Sequence, residues 1–199
     1  MRLFAAISPP DAVKDHLAGA LASALGPGTD RSAPLSPRQN WHITLAFYGE
    51  VPDCAGPVFE QALAAVLPPL GAFRLELAGA GVIRRRVGWI GVGGQTATLK
   101  RAMAAAADLP GPAGGLTTGP ADAARSSRRA AARQPRALRP HLTITRAADH
   151  PAISPALTAL SVYRGPSWLV NAVELIVSEV GRGPGGHALH TPVATVPLP

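Results

Sequence analysis

Trp41-His42-Ile43-Thr44-Leu45-Ala46-Phe47-Tyr48-Gly49 alternates along its length, and His141-Leu142-Thr143-Ile144 repeats its centre as the same His-apolar-Thr-apolar string. Side chains alternate between the two faces of a strand, so the first stretch predicts a half-buried strand over 41–49. Trp41, Ile43, Leu45 and Phe47 would share one face, and His42, Thr44, Ala46 and Tyr48 the other. The same rule sets His141 and Thr143 on one face of a second strand, predicted over 137–146, with Leu142 and Ile144 turned to the core. The chain thus presents one polar pair twice.

On either side of these stretches the pattern switches between periods of two and 3.6. A strand is predicted over 2–7 and a helix over 10–25, which starts at Pro9-Pro10-Asp11 and stops at Gly26-Pro27-Gly28. A helix over 56–67, strands over 73–77 and 87–92, and a helix over 97–109 follow. Residues 110–134 lose this regularity to Gly/Pro-rich and then Ala/Arg-rich sequence, far longer than a usual connection of about 4–6 residues. They are read as a mobile, partly helical loop. A helix over 154–162, a long strand over 168–180 and a last strand over 189–196 complete the order. The succession β-α-β-α-β-β, then α-β-α-β-β, nearly repeats itself and predicts α+β layers rather than an alternating parallel sheet. Trp41, Trp89 and Trp168 fall in apolar strands and are expected in the core. Cys54 is expected as a small buried residue, and His16 and His150 at the surface.

Composition narrows the classes. A chain of 199 residues is one ordinary domain. With 47% hydrophobic and 16% charged residues it can bury a core. No run approaches the roughly 18 apolar residues of a spanning helix, and Met1–Pro10 lacks the features of a signal peptide. With a single cysteine, this argues for a cytoplasmic protein without membrane contact. The net charge of +7 comes from 19 Lys+Arg against 12 Asp+Glu, and all but Lys14 and Lys100 of the basic residues are arginine. Arginine suits phosphate, although a GC-rich genome enriches the same residue types. The run Arg125, Arg128, Arg129, Arg133, Arg136 and Arg139 reads equally as a solvated arm or an RNA-backbone track. Arg84-Arg85-Arg86 reads as a solvated turn that could also meet phosphate.

The duplicated pair carries the chemistry. An imidazole titrates near 6.5, so two of them facing one cleft can serve as base and acid at neutral pH. The two threonine hydroxyls can donate to the non-bridging oxygens of a phosphate, which points to a phosphodiester substrate. A zinc site fits less well, because no HExxH, paired cysteines or carboxylate at ligand spacing accompanies the histidines.

The segments Met1–Ile7, Asn40–Glu50, Arg139–Arg146, Glu174–Glu179 and Gly183–Gly186 together resemble the 2H phosphoesterases, and within them the RNA 2′,3′-cyclic phosphodiesterases formerly described as 2′-5′ RNA ligases. The resemblance implies a bilobal, duplicated α+β fold of antiparallel sheets with outer helices and a central cleft carrying two HxT motifs. It implies neither cofactor nor metal, and action on RNA with a 2′,3′-cyclic phosphate end, or on small cyclic-phosphate nucleotides, to leave a 2′-phosphate; a monomer is the default expectation. By the same resemblance His42 protonates the departing 3′ oxygen, His141 activates water, Thr44 and Thr143 hold the phosphate, and Arg146 neutralises it. The tail His187-Ala188-Leu189-His190 departs from relatives, which often carry an aromatic residue there. Other 2H reactions, 2′-5′ RNA ligation or cyclic nucleotide hydrolysis, and a non-catalytic RNA-end binding protein are the rival readings.

Overall fold

The computed structural model describes residues 1–27, 33–109 and 139–199. The named elements are β1 (Arg2–Ile7), α1 (Asp11–Leu25), β2 (Ile43–Glu50), α2 (Gly56–Val66), β3 (Phe73–Ile83), β4 (Val87–Gly94), α3 (Thr96–Ala107), β5 (His141–Thr145), α4 (Ile153–Ala159), β6 (Trp168–Val170), β7 (Ala172–Glu179) and β8 (Leu189–Pro197). The strands form one curled antiparallel sheet in the order β6-β3-β4-β5-β2-β1-β7-β8. Read from its middle, the sheet is duplicated. Strands β2, β1, β7 and β8 make one lobe, and β5, β4, β3 and β6 the other, with β2 and β5 meeting at the seam through a single register pair, Ile43 with Leu142.

Each motif strand is anchored by its apolar side. Ile43, Leu142 and Ile144 are buried in the main core with Leu45, each worth about 1.5–3 kcal/mol on burial. Helix α1 covers this core through Val13, Leu17 and Leu21, spaced as one helical face requires, and α3 does so through Leu99, Ala102, Met103 and Ala106. The opposite face of the sheet carries a separate small cluster of Phe4, Ala6 and Ile176, and that is the face to which the histidines and threonines turn.

Several sequence expectations change in the folded chain. The strand predicted over 168–180 is two strands broken at Asn171. Its first half pairs with β3 and its second with β1, so the two halves serve different lobes. Phe47 was expected beside Ile43 and Leu45, but it is 69% exposed. In the β1–β2 ladder Ala6 pairs with Thr44, Ala5 with Ala46 and Phe4 with Phe47, which leaves Leu45 as an extra residue. This bulge inverts the alternation beyond it. Trp41 and Trp168 are buried as expected, whereas Trp89 is only half-buried and Cys54 is exposed. The loop expected over 110–134, and the arginines from Arg125 to Arg136, lie outside the described residues.

Candidate active site

The register at the seam decides how the two motifs meet. Because the strands are antiparallel and Ile43 faces Leu142, one step along the ladder sets His42 opposite Thr143 and Thr44 opposite His141. All four side chains then share the face away from the core, with the two histidines on a diagonal of roughly 7–8 Å in regular ladder geometry. Neighbouring strands extend this face, since Ala6 pairs with Thr44 and Trp89 with Thr143. Gly91 pairs with His141 and puts no side chain beside it.

Both imidazoles are fixed by the same local device. His42 Nδ1 lies 2.7 Å from the Asn40 carbonyl, and His141 Nδ1 lies 2.8 Å from the Arg139 carbonyl, two residues back in each case. A carbonyl only accepts, so Nδ1 holds the proton and Nε2 is left free for a reacting group. Around this common geometry the environments differ. The His42 ring sits 4.9 Å from Phe4 and 5.2 Å from His190, while the His141 ring has Trp89 at 6.4 Å. Burial pushes His42 down to about 4, and the nearby His190, Lys14 and Arg146 push the same way against the Asn40 hydrogen bond. His42 is therefore neutral at pH 7 in the free protein. Burial, then Arg146, lowers His190 as well.

A cavity of about 760 Å³ opens on this face, and His42, Thr143, Arg146, Phe4, Phe47 and His190 are in its lining. Thr44 and His141 are half-buried on the same face but are not part of that lining. Arg146 reaches the cavity because β5 ends one residue earlier. Buried Thr145 donates its hydroxyl to the Pro34 carbonyl at 2.7 Å and accepts the Ala147 N–H at 3.0 Å, so the chain bends and Arg146 leaves the alternation of the strand. A smaller cavity of about 260 Å³ adjoins His42 and His190 on another side, where Ser8 donates to the Glu174 carboxylate and Lys14 lies close by. Among the described residues, no group of three or more His, Cys, Asp and Glu side chains is gathered closely enough to hold a metal ion.

Phe47, Phe4 and His190 are among the residues of this lining that the sequence did not point to. Phe47 was hidden by the bulge. Phe4 lies in the apolar first strand and gives no sign of its face. His190 carried only the weak signal of a histidine on a late strand, and it arrives through the pairing of β8 with β7, where it faces Ser178.

Residues 6–182 match the model of the 2′-5′ RNA ligase superfamily. An RNA 2′,3′-cyclic phosphodiesterase of Aeropyrum pernix is 40% identical over 67 residues, a match that spans 32% of this chain and 37% of that protein. A Thermus thermophilus protein of known structure superposes with a TM-score of 0.65 at 26% identity, covering 100% of this chain and 98% of that one. E. coli LigT, solved in complex with 3′-AMP, superposes with a TM-score of 0.67 at 23% identity, over 99% of this chain and 97% of its own, a likeness of fold. Among the described residues, no helix is long and apolar enough to cross a membrane.

Proposed function

The chain belongs to the 2′-5′ RNA ligase superfamily of 2H phosphoesterases, and from that premise we propose that it hydrolyses the terminal 2′,3′-cyclic phosphate of RNA to a 2′-phosphate by paired-histidine acid–base catalysis. The observation that carries the reading is the matched pair of Nδ1 hydrogen bonds at 2.7 and 2.8 Å, which leaves the Nε2 atoms of two histidines on one face open to proton transfer. The 40% identity over 67 residues to a cyclic phosphodiesterase and the 3′-AMP held by E. coli LigT support the substrate class.

In this reading Thr44 and Thr143 donate to the non-bridging oxygens of the cyclic phosphate, and Arg146 offsets its negative charge. His141 Nε2 removes a proton from water as the water oxygen attacks phosphorus. The bond from phosphorus to the 3′ oxygen breaks, and His42 Nε2 delivers a proton to that oxygen. The product is a 2′-phosphomonoester with a free 3′-hydroxyl, and proton exchange with solvent restores both imidazoles. Burial and the neighbouring cations hold His42 neutral in the free protein; the anionic substrate opposes that effect and charges the group for its role as acid. Phe47, exposed on the cavity side of the bulge and 5.5 Å from Phe4, offers a ring face on which the terminal base can stack.

The test is product identification. RNA ending in a 2′,3′-cyclic phosphate, incubated with the protein in EDTA, should yield a 2′-phosphate end. A 3′-phosphate product, a ligated product or no turnover would each overturn the reading.

A further inference from the structure

The hairpin between β3 and β4 turns on Arg84, Arg85 and Arg86, all exposed, and none of the ion pairs among the described residues involves them. The turn is closed by the Arg86 N–H donating to the Ile83 carbonyl at 3.2 Å. Its central residues, Arg84 and Arg85, have φ of 50° and 60°, and they are the non-glycine residues at positive φ among those described. This left-handed conformation costs an L-residue about 1–2 kcal/mol, and a β-turn with both central residues at positive φ is best filled by Asn-Gly. Local folding therefore does not account for two arginines at these positions.

The hairpin is also fastened to the strand that bears the second motif. Gly88 pairs with Thr145, and the Ala148 N–H donates to the Arg86 carbonyl at 2.8 Å. Arg146, which lines the main cavity, lies in the chain between those two attachments. Four arginines that make no ion pair among the described residues thus stand on the hairpin and on the loop fastened to it, one of them, Arg146, lining the cavity, with the exposed Asp149 as the acidic residue of that loop. The pattern suits a chain of phosphates better than a single anion, since only one of the four cations lines the cavity.

We propose that the Arg84–Arg86 hairpin is a docking surface for the single-stranded RNA chain upstream of the cyclic-phosphate end. The proposal rests on the functional reading above and adds to it a recognition site for chain length. Arginine forks on successive phosphates would release counterions, so the contribution should be independent of sequence and sensitive to salt.

The test replaces the turn with its conformationally preferred residues, Arg84→Asn with Arg85→Gly, which removes two charges while relieving the backbone. Binding of a short single-stranded oligoribonucleotide with a cyclic-phosphate end is followed by fluorescence anisotropy across a salt series, beside turnover of a 2′,3′-cyclic mononucleotide and thermal unfolding. The expected result is an unchanged or raised melting temperature, unchanged mononucleotide turnover, and a slope of log affinity against log salt shallower by roughly 1.4, at about 0.7 per single-stranded contact. A second variant, Arg86→Gln, leaves the turn conformation alone and should flatten the slope by roughly half as much. Equal slopes for both variants and the parent would overturn the docking surface and leave a solvated turn. If the parent binds RNA with a hairpin-dependent slope but does not turn over the mononucleotide, the activity reading falls while the docking surface stands.

Discussion

Ile43 faces Leu142 across the centre of the sheet, and that single register pair joins the lobe that carries His42 to the lobe that carries His141. Both side chains are fully buried. Leu142→Ala should cost about 2–5 kcal/mol, the usual range for a large-to-small change in a core, and should lower activity further than the stability loss alone explains. Urea unfolding with steady-state kinetics at a temperature where the variant is folded would check this. A variant that keeps full activity in spite of its cavity would show that the seam does not set the geometry of the site.

In the proposed mechanism the two histidines have distinct tasks, and these can be separated. His42→Ala and His141→Ala should each lower kcat/KM by about 10²–10⁴, the worth of one general acid or base. A substrate whose departing 3′ atom is sulfur needs little protonation as it leaves. It should recover most of the loss in His42→Ala and none in His141→Ala. Recovery in the His141 variant instead would reverse the two roles.

Stability should respond to His42 in a definite direction. The unfolded imidazole titrates near 6.5, and the folded one near 4. Between these values the unfolded chain binds a proton that the folded chain does not. Stability should therefore fall as the pH drops from about 6.5 to about 4, by about 3 kcal/mol over the whole window at 1.36 kcal/mol per unit. Chemical denaturation of the parent and of His42→Phe at several pH values measures the difference. Parallel profiles for the two proteins would refute the burial of a neutral imidazole.

Gly91 stands opposite His141, and a β-carbon added there would clash with the Ala78 carbonyl oxygen and meet the Trp89 ring at 3.2 Å. Backbone cannot yield as a flexible side chain can. Gly91→Ala should cost about 1–3 kcal/mol by overpacking and should reduce kcat by moving the strand under His141. A melting temperature equal to that of the parent would contradict this packing.

The bulge sets Phe47 in the lining of the cavity. If a base stacks on its exposed ring, Phe47→Ala should raise KM by an amount equivalent to about 1–3 kcal/mol, the range for one base on one aromatic side chain, with little change in kcat. Phe47→Tyr should retain most of the affinity. An unaffected KM for the alanine variant would remove Phe47 from substrate binding.

The sequence alone was enough to pair each histidine with its threonine and to oppose both to a buried apolar pair, because alternation along a strand is a local rule of backbone geometry. It also sufficed for the helices and for most of the strands, since their periods are local. What it could not supply were relations made across the sheet. The bulge at Leu45 exists only because β1 and β2 pair with different residue counts, and it alone turns Phe47 toward the cavity. The break at Asn171 sends adjacent strands to different lobes, although the residues on either side are equally apolar. His190 joins His42 through the register of β8 on β7, and Arg146 reaches the cavity through the hydrogen bonds of Thr145. Composition and periodicity therefore determined which residue types could do acid–base chemistry on a phosphate and which face of each strand they occupied. The tertiary structure decided which of them stand together, because hydrogen bonds between distant strands set register, bulges and bends, and no local pattern encodes them.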